Sequence, residues 1–133
     1  MNWTLEVVIV PVSDLDRAKE FYHDRLGFAV DHDTTVPTGG RIVQLTPPGS
    51  GCSIVIGDGP AVPKMEPGSI KGLQLVVPDL PAARAELVER GLDVGEIQTV
   101  APSPDGSLDN VGFLFFDDPD GNSWAVQQIS ARA

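Results

Sequence analysis

The sequence contains a single cysteine, Cys52, among its 133 residues. One thiol cannot form an intrachain disulfide or a thiolate zinc cluster, so nothing indicates an oxidising compartment. No stretch approaches the roughly 18 consecutive apolar residues that cross a bilayer. Residues 1–12 also lack the basic start of a secretory signal. We therefore expect a cytoplasmic protein that does not span a membrane.

Basic residues are also scarce, since 9 Lys and Arg stand against 19 Asp and Glu, a formal net charge of −10. Proteins that bind nucleic acid neutralise phosphates with clustered Lys and Arg, so this balance argues against a nucleic-acid partner. Apolar residues at 41% and charged residues at 21% are typical of a folded globular protein. The length predicts one domain, residues 1–133, and excludes a two-domain enzyme.

The order of predicted elements repeats along the chain. The first half begins with a strand, continues with a helix capped at Asp14 and closed by Gly27, and ends with three strands. The second half has the same order, with a helix that follows Asp79 and closes at Gly91. The predicted strands are residues 5–10, 28–32, 41–46 and 52–56 in the first half, and residues 72–77, 92–99, 110–116 and 123–128 in the second.

This repeat predicts an α+β fold in which two βαβββ modules, residues 1–59 and 69–130, form curved mixed sheets around a ligand hollow. A proline-containing connector at residues 60–68 joins the modules. A sheet face that no helix covers must meet something else, and a hollow shared by both sheets is the natural place for a ligand.

Short motifs mark the same framework. They are Val12-Ser13-Asp14-Leu15, Phe21-Tyr22, Leu26-Gly27-Phe28, Val77-Pro78-Asp79-Leu80, Gly91, and the turn Asp118-Pro119-Asp120-Gly121-Asn122 before the last strand. Together with the repeated order of elements, they resemble the vicinal oxygen chelate superfamily, also called the glyoxalase/bleomycin resistance/dioxygenase family. The resemblance covers nearly the whole chain, and the Asp-Pro-Asp-Gly-Asn turn is its most specific part.

The resemblance also implies where metal ligands would stand. Metal-dependent members carry a His seven residues before each helix-capping Asp and a Glu three residues after the Asn of the turn. Those positions hold Val7, Gly72 and Ala125 here, and the remaining position is Ser53 or Val55. None of these side chains supplies the imidazole or carboxylate that a divalent ion needs. We therefore expect no metal, no other cofactor and no catalytic residue of the usual kind.

Antibiotic-binding members of the family also lack the metal ligands, form homodimers, and hold a drug in grooves built from both chains. By this resemblance we expect a metal-independent homodimer that sequesters an antibiotic or metabolite, with cationic and aromatic molecules as candidate ligands. Two alternatives stay open. One is a lyase, isomerase or dioxygenase with a displaced metal or an acid or base such as Glu6 or Asp31. The other is a regulatory interaction module whose hollow is filled by its own side chains.

The resemblance implies starting positions for a ligand site, and strand alternation extends them, because every second side chain of a strand turns to the same face. These candidates are Val7, Ile9, Gln44, Ser53, Val55, Gly72, Gln74, Phe113, Phe115, Ser123, Ala125 and Gln127. For each of them, packing within the protein is the competing interpretation. Alternation does not settle which of Phe113, Phe115 and Phe116 faces the hollow, whereas Trp124 is predicted to lie in the core.

Overall fold

The computed structural model describes residues 1–132. The strands are β1 (Val7–Ile9), β2 (Ala29–Thr35), β3 (Arg41–Thr46), β4 (Ser53–Gly57), β5 (Leu73–Val77), β6 (Gln98–Thr99), β7 (Gly112–Asp117) and β8 (Ser123–Gln128). The helices are α1 (Leu15–Glu20), α2 (Leu80–Glu89), a π-helical turn (Phe21–Arg25) and a 3-10 turn (Ser130–Arg132). None of the helices in this part of the chain is long and apolar enough to cross a membrane.

The chain forms two compact units. The first contains Met1–Ile70 together with Asp118–Asn122, and the second contains the other described residues. Each unit has the order βαβββ and one four-stranded mixed sheet, β1-β4-β3-β2 in the first and β5-β8-β7-β6 in the second. The outer pairs β1–β4 and β5–β8 are parallel, and the other pairs are antiparallel. The predicted α+β fold with two βαβββ modules is confirmed.

Both predicted helix caps are present. The Asp14 carboxylate accepts a hydrogen bond from the Arg17 backbone N–H at 3.1 Å, and the Asp79 carboxylate accepts one from the Ala82 N–H at 3.1 Å. These bonds satisfy a backbone donor that the first turn of a helix leaves without an internal partner. In each module, the capping residue therefore fixes where the helix begins after the first strand.

Two predicted elements differ from the structure. The predicted helix that Gly27 closes is present, but only α1 is α-helical: it ends at Glu20 and continues directly as a π-helical turn in which Tyr22 is completely buried, and Gly27 follows with φ 78°. The predicted strand at residues 92–99 is mostly wrong, because only β6 pairs with β7. Leu92 and Val94 are buried, so this segment contributes apolar side chains to the core without joining the ladder.

Alternate residues of the inner strands form the core of each unit. In the first unit the buried side chains of β3 and β4 include Val43, Leu45, Ile54 and Ile56, and helix α1 contributes Ala18. In the second unit the buried set includes Leu114, Phe116, Trp124 and Val126, with Leu80 from α2. The prediction that Trp124 lies in the core is confirmed, since only 4% of it is exposed.

The Asp118–Asn122 turn is held in the first unit by a buried polar network. The Asp118 carboxylate accepts hydrogen bonds from the Tyr22 hydroxyl at 2.7 Å and the Asn122 amide nitrogen at 2.8 Å. Its other oxygen accepts from the backbone N–H groups of Asp120 and Asn122, each at 2.9 Å. Asn122 also donates to the Pro11 carbonyl at 2.8 Å. The polar side chains of Asp118 and Asn122 therefore stabilise the fold by holding this turn in place.

An exposed ion cluster ties helix α1 to the edge of the first sheet. The Arg41 guanidinium donates to both carboxylate oxygens of Asp33, at 2.8 and 2.7 Å, and to Asp16 at 2.6 Å. Lys19 adds a bond to Asp33 at 2.8 Å. Hydrogen bonds from Arg41 and then Lys19 hold the pKa of Asp33 well below its usual range.

We expect Asp33→Asn to lower the free energy of unfolding at pH 7 by roughly 0.5–1 kcal/mol, because solvent screens a pair in this position. A carboxyl group whose pKa is lowered by folding stabilises the fold fully above its unfolded value, near 3.8. The deficit therefore shrinks as the pH falls below that value toward the lower pKa of the folded state. Urea unfolding at pH 7 and at about pH 3 measures this dependence. Asp93→Asn, at another exposed position, is the control, and an equal Asp33→Asn deficit at both pH values contradicts the prediction.

Candidate functional site

The five candidate ligand residues of the first unit share one sheet face. The register pairs Val7 with Ser53, Ile9 with Val55, and Val55 with Gln44. Side chains of directly paired residues point to the same side of a sheet, which is opposite to the side that holds Val43 and the other core residues. We call this surface the Val7 face. Ser53 and Val55 are buried in it, and the other three are half-buried.

A chain of hydrogen bonds crosses the Val7 face. The Gln44 amide nitrogen lies 3.4 Å from both the Ser53 hydroxyl and the Asp31 carboxylate. The Ser53 and Thr46 hydroxyls are 2.6 Å apart, and the Thr46 hydroxyl donates to Asp31. These four residues form what we call the Asp31 cluster. Of the four, the sequence singled out Gln44 and Ser53 as binding residues and Asp31 only as an alternative acid or base.

A β-bulge in β2 brings Asp31 to this part of the site, which strand alternation alone does not predict. Val30 pairs with Leu45 and His32 pairs with Gln44, so Asp31 is an extra residue in β2. A bulge turns neighbouring side chains to one side and breaks the period of two. Thr46, in contrast, follows Gln44 by two positions on an unbroken strand, and that spacing alone would have placed it on the Val7 face.

A cavity of about 570 Å³ adjoins the Val7 face in the same unit. It shares Ile9 with that face, and the segment after β4 supplies much of the remaining wall. Its lining residues are Ile9, Pro11, Val12, Gly57, Asp58, Gly59, Pro60, Val62, Pro63, Lys64 and Met65. This volume is within the range of small-molecule sites. The predicted connector, residues 60–68, therefore joins the two modules and also lines this cavity.

The seven candidates of the second unit lie on β5, β7, β8 and the residue before β5. The register pairs Gln74 with Ala125, and Ala125 with Phe115. It also pairs Phe113 with Gln127. By alternation along β8, Ser123 shares this side, which we call the Phe115 face. The structure thus brings together the predicted residues within each unit.

The orientation of the three phenylalanines, which the sequence left open, follows from this register. Phe113 and Phe115 lie side by side on the Phe115 face, with ring centroids 6.0 Å apart and planes at 8°. Phe116 turns to the other side, where its ring stacks on Trp124 at 6.1 Å. Phe115 is 44% exposed and Val76, on the same face, is 36% exposed. The Phe115 face therefore exposes flat apolar surface.

Polar groups of the Phe115 face are held by one another. The Gln74 amide nitrogen donates to the Gln127 side-chain oxygen at 2.6 Å, and Gln127 donates to the Asn110 carbonyl at 2.9 Å. The Gly72 N–H donates to the Ser123 hydroxyl at 3.0 Å. Gly72 has φ +82° and open space where a side chain would begin, so this position leaves room beside the face.

The residues at the four implied metal positions do not fit a divalent ion. Val7, Gly72 and Ala125 carry no donor atom beyond the backbone, and Ser53 lies beside Val7 with its hydroxyl already bonded to Thr46. Protein sites for first-row divalent metals use imidazole, thiolate or carboxylate ligands. Among residues 1–132, no group of three or more His, Cys, Asp or Glu side chains could hold a metal ion.

Comparisons with known proteins identify the family of this fold. The Glyoxalase/Bleomycin resistance protein/Dioxygenase superfamily model matches residues 4–126. The chain is 34% identical to TnmS3, an antibiotic binding protein from Streptomyces sp. CB03234, over 97% of this chain and 98% of that one, with a TM-score of 0.74.

Two further solved structures are similar. A glyoxalase/bleomycin resistance protein from the same Streptomyces strain is 34% identical, with coverage of 94% and 100% and a TM-score of 0.71. A superfamily member from Sphaerobacter thermophilus DSM 20745 is 27% identical, with coverage of 96% and 98% and a TM-score of 0.72. No curated protein matches the sequence significantly. The chain therefore belongs to the glyoxalase/bleomycin resistance protein/dioxygenase superfamily.

Proposed function

We propose that this protein is a cytoplasmic, homodimeric binding protein that sequesters an antibiotic or metabolite without a metal. The observation that carries the proposal is the chemistry of the implied metal positions, where Val7, Gly72 and Ala125 offer no ligand side chain. The lyase, isomerase and dioxygenase reactions of the family depend on a metal that polarises or activates an oxygen. Sequestration depends only on a surface that complements the ligand.

The two sheet faces supply surfaces of that kind. Binding sites for small molecules are mostly apolar, with a few polar groups that fix orientation. On the Val7 face, apolar Val7, Ile9 and Val55 surround the Asp31 cluster. On the Phe115 face, the paired rings lie near the Gln74–Gln127 hydrogen bond. The 34% identity to an antibiotic binding protein supports the same function.

Exposed apolar residues near the amino end support the homodimer. Trp3 is 87% exposed and Leu5 is 68% exposed. Aromatic side chains left in solvent are typical of surfaces that a partner covers, because they bury a large area at low entropic cost. The partner that would cover these residues in a homodimer is a second copy of this chain.

Native mass spectrometry of protein purified without a chelator tests the metal and the assembly together. We expect a dimer mass with no divalent ion at one-to-one stoichiometry. A parallel thermal-shift screen of antibiotics and metabolites should yield a ligand that raises Tm. A free ligand concentration of about 100 times Kd stabilises the folded state by about 2.7 kcal/mol.

EDTA treatment is the matched control for that screen. The proposal predicts the same Tm and the same ligand shift before and after EDTA. A stoichiometric divalent ion whose removal abolishes binding would favour the enzyme alternative. A monomer with no ligand from the screen would favour the regulatory module.

A further inference from the structure

We propose that Asp31 determines ligand specificity on the Val7 face by selecting molecules with a protonated amine or another cationic hydrogen-bond donor. This inference rests on the proposed function, since it assumes that the Val7 face binds a small molecule. The observation that carries it is the carboxylate of Asp31 in the bulge of β2: neutral side chains orient it, and no Lys or Arg among residues 1–132 pairs with it.

The hydrogen bonds of the Asp31 cluster have one possible direction. A carboxylate only accepts, so the Thr46 hydroxyl must give its proton to Asp31. Thr46 then accepts from the Ser53 hydroxyl, and Ser53 accepts from the Gln44 amide nitrogen. The second N–H of Gln44 reaches Asp31. All donors of the cluster are therefore directed inward, to one another or to the carboxylate.

What remains for a ligand is a set of acceptors. Both bonds to Asp31 arrive at Oδ2, and within residues 1–132 its Oδ1 accepts no hydrogen bond. The side-chain oxygen of Gln44 is likewise open in the described chain. Asp31 is exposed. A ligand at this point must bring donors, because an acceptor would meet only lone pairs.

Asp33, the other carboxylate near Asp31 on β2, differs from Asp31 in its partners. Asp33 is paired with both Arg41 and Lys19. Within residues 1–132, no Lys or Arg forms an ion pair with Asp31, whose hydrogen-bond partners are the neutral side chains of Thr46 and Gln44. The protein therefore neutralises one carboxylate of β2 and leaves the other charged at the binding face. A cation completes this arrangement, since charge-assisted hydrogen bonds are stronger than neutral ones.

Two flat dyes of similar shape provide the test, namely cationic 9-aminoacridine and neutral acridone. Their affinities are measured by fluorescence titration at about 150 mM salt, where long-range attraction to an acidic protein is screened. We expect the natural sequence to bind 9-aminoacridine about tenfold more tightly than acridone, the effect of one charge-assisted bond. Asp31→Asn should remove that preference through a loss of 9-aminoacridine affinity of about tenfold.

Two further variants separate specific recognition from general charge and from damage to the fold. Asp93→Asn removes the same charge at another exposed position and should change the dye preference less than twofold. Thr46→Val keeps the charge but removes the donor that orients the carboxylate, and it should weaken 9-aminoacridine binding about threefold. Each variant's Tm is measured to verify folding.

The outcomes distinguish the inference from the function on which it rests. Equal binding of both dyes, or an Asp93→Asn loss as large as that of Asp31→Asn, overturns the role of Asp31 while the binding function stands. Failure of both dyes to bind the natural sequence at about 1 mM overturns the inference and counts against the proposed binding function itself.

Discussion

Replacing Asn122 with alanine is expected to lower the free energy of unfolding by about 3 kcal/mol. Asn122 is completely buried, and its amide bonds three partners. It donates to the Pro11 carbonyl and the Asp118 carboxylate, each at 2.8 Å, and accepts from the Ile70 N–H at 3.1 Å. Alanine leaves these groups without that partner, and a buried polar group left unsatisfied costs about 1–3 kcal/mol.

Urea unfolding followed by circular dichroism measures this loss, and Tm should fall by about 10 °C. Asn2→Ala is the control, because Asn2 is exposed and its replacement should stay within about 0.5 kcal/mol. A loss of less than about 1 kcal/mol for Asn122→Ala would show that water can replace the amide.

The neighbouring pair Phe115 and Phe116 should separate ligand binding from stability. Phe116→Ala is expected to cost about 3–5 kcal/mol, because the ring is 6% exposed and stacks on Trp124. Phe115→Ala is expected to cost less than about 1 kcal/mol, because that ring is 44% exposed. The two variants remove the same side chain from adjacent positions of β7 on opposite sides of the sheet.

Ligand binding should reverse the order of these effects. If the Phe115 face binds an apolar or aromatic ligand, Phe115→Ala should weaken binding about tenfold, in line with the loss of a buried aromatic contact. Unfolding curves and titrations of a ligand from the thermal-shift screen measure both quantities on the same samples. A Phe115→Ala variant that loses stability but binds normally would mean that this ring serves the fold alone.

Local sequence was sufficient for much of the fold. The capping aspartates Asp14 and Asp79 begin both helices as predicted, because a cap depends on residues within one turn. The predicted bounds of β3 (Arg41–Thr46) and β8 (Ser123–Gln128) match the structure, since apolar runs between turn-forming residues define them. The resemblance to the superfamily also came from short motifs, and the comparisons confirm it.

Local sequence patterns predicted less about the candidate site residues. Alternation placed Val7 and Ile9 on one face of β1, and their pairing with Ser53 and Val55 of β4 shows that they share that face. It could not place Asp31, because the bulge in β2 has no marker such as glycine at that position. It could not orient Phe113, Phe115 and Phe116, because the phase of β7 depends on its register with β8.

The sequence by itself determined the βαβββ repeat, the helix starts and the absence of metal-ligating side chains at the implied positions, because these depend on residue type and on contacts a few positions apart. The tertiary structure decided which carboxylate of β2 is neutralised, which phenylalanines are exposed and how the Asp118–Asn122 turn is held. Those features depend on hydrogen bonds and packing between residues far apart in the chain, such as Pro11 and Asn122. A bulge or a register is fixed only when the partner strand is in place.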